Sequence, residues 1–231
     1  MTKYIEIISH RGLWRTSAEK NSAIAFSRAL DNGFGIETDV RDRCGTLVIS
    51  HNPPTGGELT FVEFLAIYGR YEKHPSLALN IKANGLRDRV AAALRLVGTH
   101  TAFVFDMSIP DTLDYLNTEV PVFVRQSEYE QNPSMYEQAI GVWLDAFRTE
   151  WFSIEDIARH LRNGKRVCVV SPELHGRNHL PLWKRLYEAS LHTAAGMIIC
   201  TDFPLEARAF FAQGREPERH AGHAQAVCPV A

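Results

Sequence analysis

The architecture of this chain follows from two short runs near its start, YIEIISHRG at residues 4–12 and GIETDVR at residues 35–41. The first is an apolar run that ends in polar and charged side chains, and in the second Glu37 and Asp39 alternate with β-branched residues. Short runs of this kind, rich in β-branched residues, are typical of strands. Between them, residues 21–32 carry apolar side chains at helical spacing, and Gly33 follows as a C-terminal cap. The order of strand, helix and strand predicts a βαβ unit.

The same alternation continues along the rest of the chain. Strands are predicted at 4–9, 35–40, 77–82, 101–106, 120–125, 141–145, 166–170 and 196–200, and helices at 21–32, 58–71, 86–97, 109–116, 154–161 and 181–191. Eight strands that alternate with helices predict an α/β protein of one domain, a closed parallel (β/α)8 TIM barrel. An open doubly wound sheet is disfavoured because the first strand is not followed by a glycine-rich turn.

Composition narrows the class of protein. The 231 residues include 25 basic and 27 acidic side chains, for a net charge of −2, so we expect no nucleic-acid partner. We predict the barrel over residues 1–213 and a loose tail over 214–231, where the sequence turns polar and aperiodic. Scattered cysteines, no leader-like start and no long apolar segment predict a cytoplasmic protein without an integral membrane segment. The oligomeric state is left open.

Polar side chains collect where the predicted strands end, which is where (β/α)8 barrels build their active sites. Asp39 lies two residues after Glu37, so both carboxylates share one face of the second strand. Two carboxylates that point into a barrel are costly unless a cation or a proton neutralises them. Two interpretations stay open: the pair binds a divalent metal, or it belongs to a buried ion-pair network with Arg11, Arg41 and Lys82.

Three short motifs occur in order along the first quarter of the chain: His10-Arg11-Gly12, Glu37-x-Asp39-Val40 and His51. In order and spacing they resemble the motifs of the glycerophosphodiester phosphodiesterase family and of phosphatidylinositol-phosphodiesterase-like barrels. Glu19-Lys20-Asn21-Ser22 is similar to its Pro-Glu-Asn-Thr, Lys82 matches the lysine of its third-strand Glu-x-Lys, and Thr201-Asp202-Phe203-Pro204 is similar to its closing Thr-Asp-Tyr-Pro. The matches extend from position 9 to position 204.

The resemblance implies a phosphoric diester hydrolase of lipid metabolism that acts on a small phosphodiester with a divalent cation. His10 and His51 match the paired histidines, which would serve as general base and general acid. Glu37 and Asp39 match two metal ligands, and oxygen donors of this kind suit Mg²⁺ or Ca²⁺.

The resemblance also assigns the groups that bind phosphate. Arg11 and Lys82 match the family's phosphate-binding positions, where they would offset charge on the non-bridging oxygens. The polar loop over residues 171–177 is predicted to form the rim of the substrate site, with Arg177 as a further anion contact. A solvated surface turn is the alternative interpretation of this loop.

Three departures from the family pattern make the site less negative. Asn80 occupies the place of a third carboxylate ligand, and its amide oxygen can coordinate the metal but brings no charge. Asn52 replaces the aspartate after His51, and Lys20 replaces a glutamate. Glu173, after the seventh strand, is a candidate to compensate for Asn80.

Two other functions are consistent with the same residues. A substrate hydroxyl that attacks the phosphorus would make the protein a phospholipase-like lyase that releases a cyclic phosphate. A barrel without catalysis would bind a phosphorylated ligand. The retention of both histidines, Glu37 and Asp39 favours an enzyme, because a binding protein has no need for groups that transfer protons.

Overall fold

The computed structural model describes residues 5–96, 98 and 101–212, so the tail predicted at 214–231 lies outside the described residues. The strands are β1 (Glu6–His10), β2 (Gly35–Arg43), β3 (Thr46–Ile49), β4 (Leu77–Ile81), β5 (Ala102–Phe105), β6 (Phe123–Gln126), β7 (Gly141–Leu144), β8 (Arg166–Val170) and β9 (Met197–Thr201). The α-helices are α1 (Ala23–Asp31), α2 (Phe61–Tyr68), α3 (Arg87–Leu96), α4 (Ile109–Leu116), α5 (Ile154–Arg162), α6 (Leu180–Glu188) and α7 (Pro204–Ala212).

Eight parallel strands form a nearly closed barrel, in the order β5-β4-β2-β1-β9-β8-β7-β6. Between β5 and β6 a parallel bridge pairs Val104 with Val122, and the Val104 N–H donates to the Pro121 carbonyl at 2.9 Å. The predicted (β/α)8 barrel is therefore confirmed. None of the helices in the described residues has the length and hydropathy needed to cross a lipid bilayer.

The connections differ from the prediction at two places, the segment after β2 and the additional helix α7. β2 continues past Val40 and turns back at Cys44 and Gly45 into β3, which pairs antiparallel with β2. The hairpin was not predicted because residues 41–43, which continue β2, are charged; its second strand, β3, lies outside the ring. Residues 127–140 form turns between β6 and β7, and α7 begins at Pro204, a residue that suits the first position of a helix.

Large side chains fill the barrel interior below the mouth. Phe103 stacks on Phe123 and Phe105 on Trp143, each with ring centroids 3.8 Å apart. This inner cluster also contains Ile8, Ala78, Cys168, Val170, Ile198 and Cys200. Two further apolar clusters lie between the strands and the helices. The barrel interior is therefore a packed core, and the mouth cavity lies above it.

Candidate active site

The predicted site residues stand directly above the inner core layer. His10 pairs with Glu37 in the register of β1 and β2, and Asp39 pairs with Asn80 in the register of β2 and β4. Paired residues of parallel strands point to the same face, and these follow the inward-facing Ile8. Glu37, Asp39 and Asn80 are buried. The structure therefore brings these four predicted residues together at the carboxyl ends of neighbouring strands.

Asp39 lies between two cations. Its Oδ2 atom is 3.1 Å from Arg11 Nε, and its Oδ1 atom is 3.5 Å from Lys82 Nζ. Asn21 Nδ2 donates to Asp39 Oδ2 at 2.9 Å. Lys82 Nζ is also 3.6 Å from Asp106 Oδ2. Part of the ion-pair network considered from the sequence is thus present around Asp39.

Three buried oxygens in or beside this network have no hydrogen-bond partner: Glu37 Oε2, Asn80 Oδ1 and Asp39 Oδ1, the last of which is ion-paired with Lys82. Buried acceptors are normally paired, and a hard divalent cation prefers carboxylate and amide oxygens, so this donor set fits Mg²⁺ or Ca²⁺. Burial and the neighbouring Asp39 charge raise the pKa of Glu37 to about 8. The described residues contain no group of three or more His, Cys, Asp and Glu side chains suited to a metal. The third ligand of the candidate site is therefore the Asn80 amide.

His10 is oriented by Asp202, the residue after β9. Its Nδ1 atom donates to Asp202 Oδ1 at 2.6 Å, and its Nε2 atom is 3.9 Å from Glu37 Oε2. Burial lowers the pKa of His10, although the hydrogen bond to Asp202 acts in the opposite direction. Burial would raise the pKa of Asp202, but His10 and Lys20 together bring that pKa below its ordinary value. The neutral ring therefore keeps its proton on Nδ1 and leaves Nε2 as a proton acceptor.

Glu173 supports Asp202 from below. Its Oε1 atom accepts hydrogen bonds from the Thr201 hydroxyl and, at 3.1 Å, from the Asp202 backbone N–H. Its Oε2 atom accepts from the Ser171 hydroxyl. Glu173 therefore holds the ends of β8 and β9 together. It does not join the donor set of Glu37 and Asp39, so the prediction that it compensates for Asn80 is wrong.

His51 lies on the exposed loop after β3. Its Nδ1 atom is 3.0 Å from Asn52 Oδ1. Arg41 donates to the His51 carbonyl at 3.1 Å and to the Lys82 carbonyl at 3.0 Å. The Arg41 guanidinium thus joins the His51 loop to the end of β4, and the interpretation that pairs Arg41 with the buried carboxylates does not hold.

Two non-glycine residues that line the mouth cavity have left-handed backbone: Arg11, with a φ of 58°, and Asp106, with a φ of 69°. The Arg11 N–H donates to the Glu37 carbonyl at 2.9 Å, which holds this strained residue in place. Gly12 follows with a φ of 84° and packs so closely on α1 that a Cβ atom there would lie 2.8 Å from the Ala25 carbonyl carbon. Strain of this kind concentrates at functional sites.

A cavity of about 290 Å³ at the barrel mouth contains most of the predicted site: His10, Arg11, Glu37, His51, Asn80 and Lys82 all line it. Arg11 and His51 also line an adjoining groove of about 670 Å³. Arg177 lies outside the cavity lining, because its guanidinium donates to the Ala146 carbonyl. Its role as an anion contact stays a prediction.

Two groups of the site are not predicted from the sequence. Asp202 belongs to the closing motif at a strand end, but its partner His10 is 192 positions away. His175 and Asp145 line the cavity as a hydrogen-bonded pair. Asp145 was visible as the polar end of its strand, and His175 lies in the same loop as Arg177.

Comparison with known proteins gives structural matches only. No family model and no curated protein matches this chain in sequence. The structure is similar to that of a glycerophosphodiester phosphodiesterase from Agrobacterium tumefaciens, with 18% identity, coverage of 92% of this chain and 100% of that chain, and a TM-score of 0.64.

Two further barrels are similar. One is an Oleispira antarctica phosphodiesterase in complex with the product sn-glycerol-3-phosphate, with 15% identity, 90% and 96% coverage of the two chains and a TM-score of 0.63. The other is a Ca²⁺-dependent phosphatidylinositol-specific phospholipase C from Streptomyces antibioticus, with 12% identity, 91% and 96% coverage and a TM-score of 0.56. At such identities a likeness shows the fold: this chain is a (β/α)8 barrel of the kind found in the glycerophosphodiester phosphodiesterases.

Proposed function

We propose that this protein hydrolyses a small glycerophosphodiester with the help of a divalent cation, Mg²⁺ or Ca²⁺. The observation that carries this proposal is the set of buried oxygens without a hydrogen-bond partner on Glu37, Asp39 and Asn80. Glu37 and Asn80 line the same cavity as His10, and Asp39 pairs with Asn80 in the strand register. These oxygens would hold the cation, which would polarise the phosphoryl group and offset its charge. The similar Oleispira antarctica barrel holds sn-glycerol-3-phosphate, and a substrate of that size suits a cavity of about 290 Å³.

Arg11 and Lys82 would bind the phosphoryl oxygens. Both line the cavity, and both flank Asp39 at 3.1 and 3.5 Å. Charge-assisted hydrogen bonds from such cations stabilise negative charge as it develops on a phosphoryl group. Because Arg11 and His51 line both the mouth cavity and the adjoining groove, a phosphorus atom at this junction leaves one space for each alcohol group of a diester.

The two histidines would transfer the protons. His10, neutral because burial lowers its pKa, accepts the proton of the attacking water or hydroxyl at Nε2 while Asp202 holds Nδ1. His51, on the loop after β3, donates a proton to the departing alkoxide. The proton that His10 gains is matched by the one that His51 loses, so each histidine must be reset before the next turnover.

A cyclising reaction is the second candidate, and the similarity to a phosphatidylinositol-specific phospholipase C is the observation that favours it. The residues keep the same roles, but the nucleophile is a hydroxyl group of the substrate. Phosphorus NMR of the products separates the two reactions. A cyclic phosphate that persists identifies a lyase, and one that is absent or disappears identifies a hydrolase.

The test is turnover of a panel of glycerophosphodiesters with Mg²⁺, with Ca²⁺ and after chelation. We expect turnover that depends on a divalent cation, and a loss of about 10²-fold or more in His10→Ala and in His51→Ala. His74→Ala, at the opposite end of the barrel, is the matched control and should keep its rate. A wild-type protein that cleaves nothing in the panel would refute the proposal and favour a barrel that only binds a phosphorylated ligand.

A further inference from the structure

A second histidine–carboxylate pair lies on the far wall of the mouth cavity. Asp145 directly follows β7, His175 lies in the loop after β8, and His175 Nε2 donates to Asp145 Oδ1 at 2.7 Å. In the strand order, β7 lies across the barrel from β2 and β8 across from β4. The pair therefore faces the proposed cation ligands Asp39 and Asn80. It has no part in the mechanism described so far.

The pair is held in a defined position. The Ala146 N–H donates to Asp145 Oδ1 at 2.7 Å, and the Arg177 guanidinium donates to the Ala146 carbonyl. The His175 ring packs on Phe147, with centroids 5.1 Å apart. Asp145 is buried, and the His175 side chain is 23% exposed toward the cavity mouth. A ring fixed in this way is a preorganised binding group.

The bond to Asp145 determines which nitrogen of His175 can meet a ligand. A carboxylate only accepts hydrogen bonds, so Nε2 carries the proton. The Nδ1 atom of the neutral ring is then an acceptor. In the part of the chain that the structure describes, no group donates a hydrogen bond to His175 Nδ1.

Much of this wall is apolar and aromatic, with Phe105, Trp143, Phe147 and Leu174 in the cavity lining. Arg125 also lines the cavity, but its guanidinium is ion-paired with Asp106 and Glu130. Such a wall with one convergent hydrogen-bonding group fits an alcohol that has both C–H faces and hydroxyl groups. An alkyl group would cover the Nδ1 atom of His175 without giving it a donor, which costs free energy.

We propose that His175, positioned by Asp145, accepts a hydrogen bond from a hydroxyl group of the substrate's alcohol and so selects phosphodiesters of polyhydroxylated alcohols. The inference rests on the proposed function for the location of the phosphoryl group at Arg11 and Lys82. From that location the alcohol extends across the mouth toward β7 and β8. His175 is a specificity residue and takes no part in proton transfer.

The test compares the binding of two monophosphates by calorimetry in the presence of Mg²⁺. Glycerol 1-phosphate has the hydroxyl groups, and propyl phosphate lacks them. His175→Phe keeps a ring on Phe147 but removes both nitrogens. We expect wild type to prefer glycerol 1-phosphate, and His175→Phe to reduce that preference about tenfold by weakening the binding of glycerol 1-phosphate without weakening that of propyl phosphate.

Controls separate specificity from structure. His74→Phe makes the same replacement in a ring stacked on Tyr68, with centroids 4.9 Å apart, at the amino-terminal end of the barrel; it should keep the wild-type preference. If His175→Phe does not fold because the Asp145 carboxylate has lost its partner, the double variant His175→Phe with Asp145→Asn replaces it. An equal loss of affinity for both ligands, or an unchanged preference, overturns the inference.

Turnover of the diester panel, measured on the same samples, separates this inference from the proposed function. A preference that depends on His175 in a protein without turnover supports the inference and contradicts the hydrolase. Turnover with a preference that does not depend on His175 supports the hydrolase and contradicts the inference.

Discussion

The replacement Asp202→Asn tests the hydrogen bond that orients His10. The bond from His10 Nδ1 to Asp202 Oδ1 is 2.6 Å long and is assisted by the carboxylate charge. Asparagine keeps the shape of the side chain and its backbone bond to Glu173, so the barrel should stay folded. Its amide can turn its NH₂ group toward Nδ1, and the ring proton then moves to Nε2, where the proposed base needs a lone pair.

The expected loss can be worked from this geometry. A hydrogen bond to a charged group contributes about 1.5–3 kcal/mol, which corresponds to roughly 10- to 100-fold in rate. The wrong tautomer adds to this loss, so kcat should fall by about 10²- to 10⁴-fold. Because Asp202 raises the pKa of His10, its loss should also move the acidic limb of the kcat/KM profile to lower pH.

The assay is the initial rate of glycerophosphodiester cleavage over a range of pH, with a thermal melt of each variant. Asp111→Asn is the matched control, because Asp111 is a buried carboxylate that accepts from the Gly85 N–H outside the mouth cavity. It should leave kcat unchanged. A folded Asp202→Asn variant with the wild-type kcat and pH profile would refute the role of Asp202 and the assignment of His10 as the base.

Three further predictions concern the cation site, the backbone and the core. Asn80→Asp places a third carboxylate beside Asp39, so calorimetry should show that the variant binds Mg²⁺ or Ca²⁺ at least about tenfold more tightly than wild type. The control Asn84→Asp, at an exposed position, should not change the affinity. Equal affinities of Asn80→Asp and wild type would contradict the amide as a ligand. Gly12→Ala puts a methyl group 2.8 Å from an α1 backbone carbon and should lower the free energy of unfolding by about 1–3 kcal/mol; no loss in urea denaturation would show that the loop gives way. Burial lowers the pKa of His160 below its ordinary 6.5. The contribution of His160 to the free energy of unfolding is therefore complete above pH 6.5 and is lost as the pH falls through the folded-state pKa. In this pH range the free energy of unfolding of His160→Gln should depend less on pH than that of wild type. The same pH dependence in both proteins would exclude His160 as the cause.

Local patterns were enough to predict the barrel and one side of its mouth. The apolar runs and the helical spacing between them predicted eight strands in parallel order. The two-residue alternation of a strand placed Glu37 and Asp39 on one face, and the structure keeps them there, buried. The hairpin of β2 and β3 was not predicted, because the charged residues 41–43 continue β2 beyond the run that indicated a strand.

The sequence by itself determined which chemical groups lie at the strand ends. Successive side chains of a strand point to opposite faces, so the direction of each one follows from its position along the chain. Only the tertiary structure decided which of these groups meet. His10 forms a hydrogen bond with Asp202, and Glu173 accepts one from the Asp202 backbone and lies away from the Asn80 site. His175, in the loop after β8, forms a hydrogen bond with Asp145, which follows β7. Such pairs depend on the order of strands around the closed ring and on how far each side chain reaches, and no local pattern encodes either.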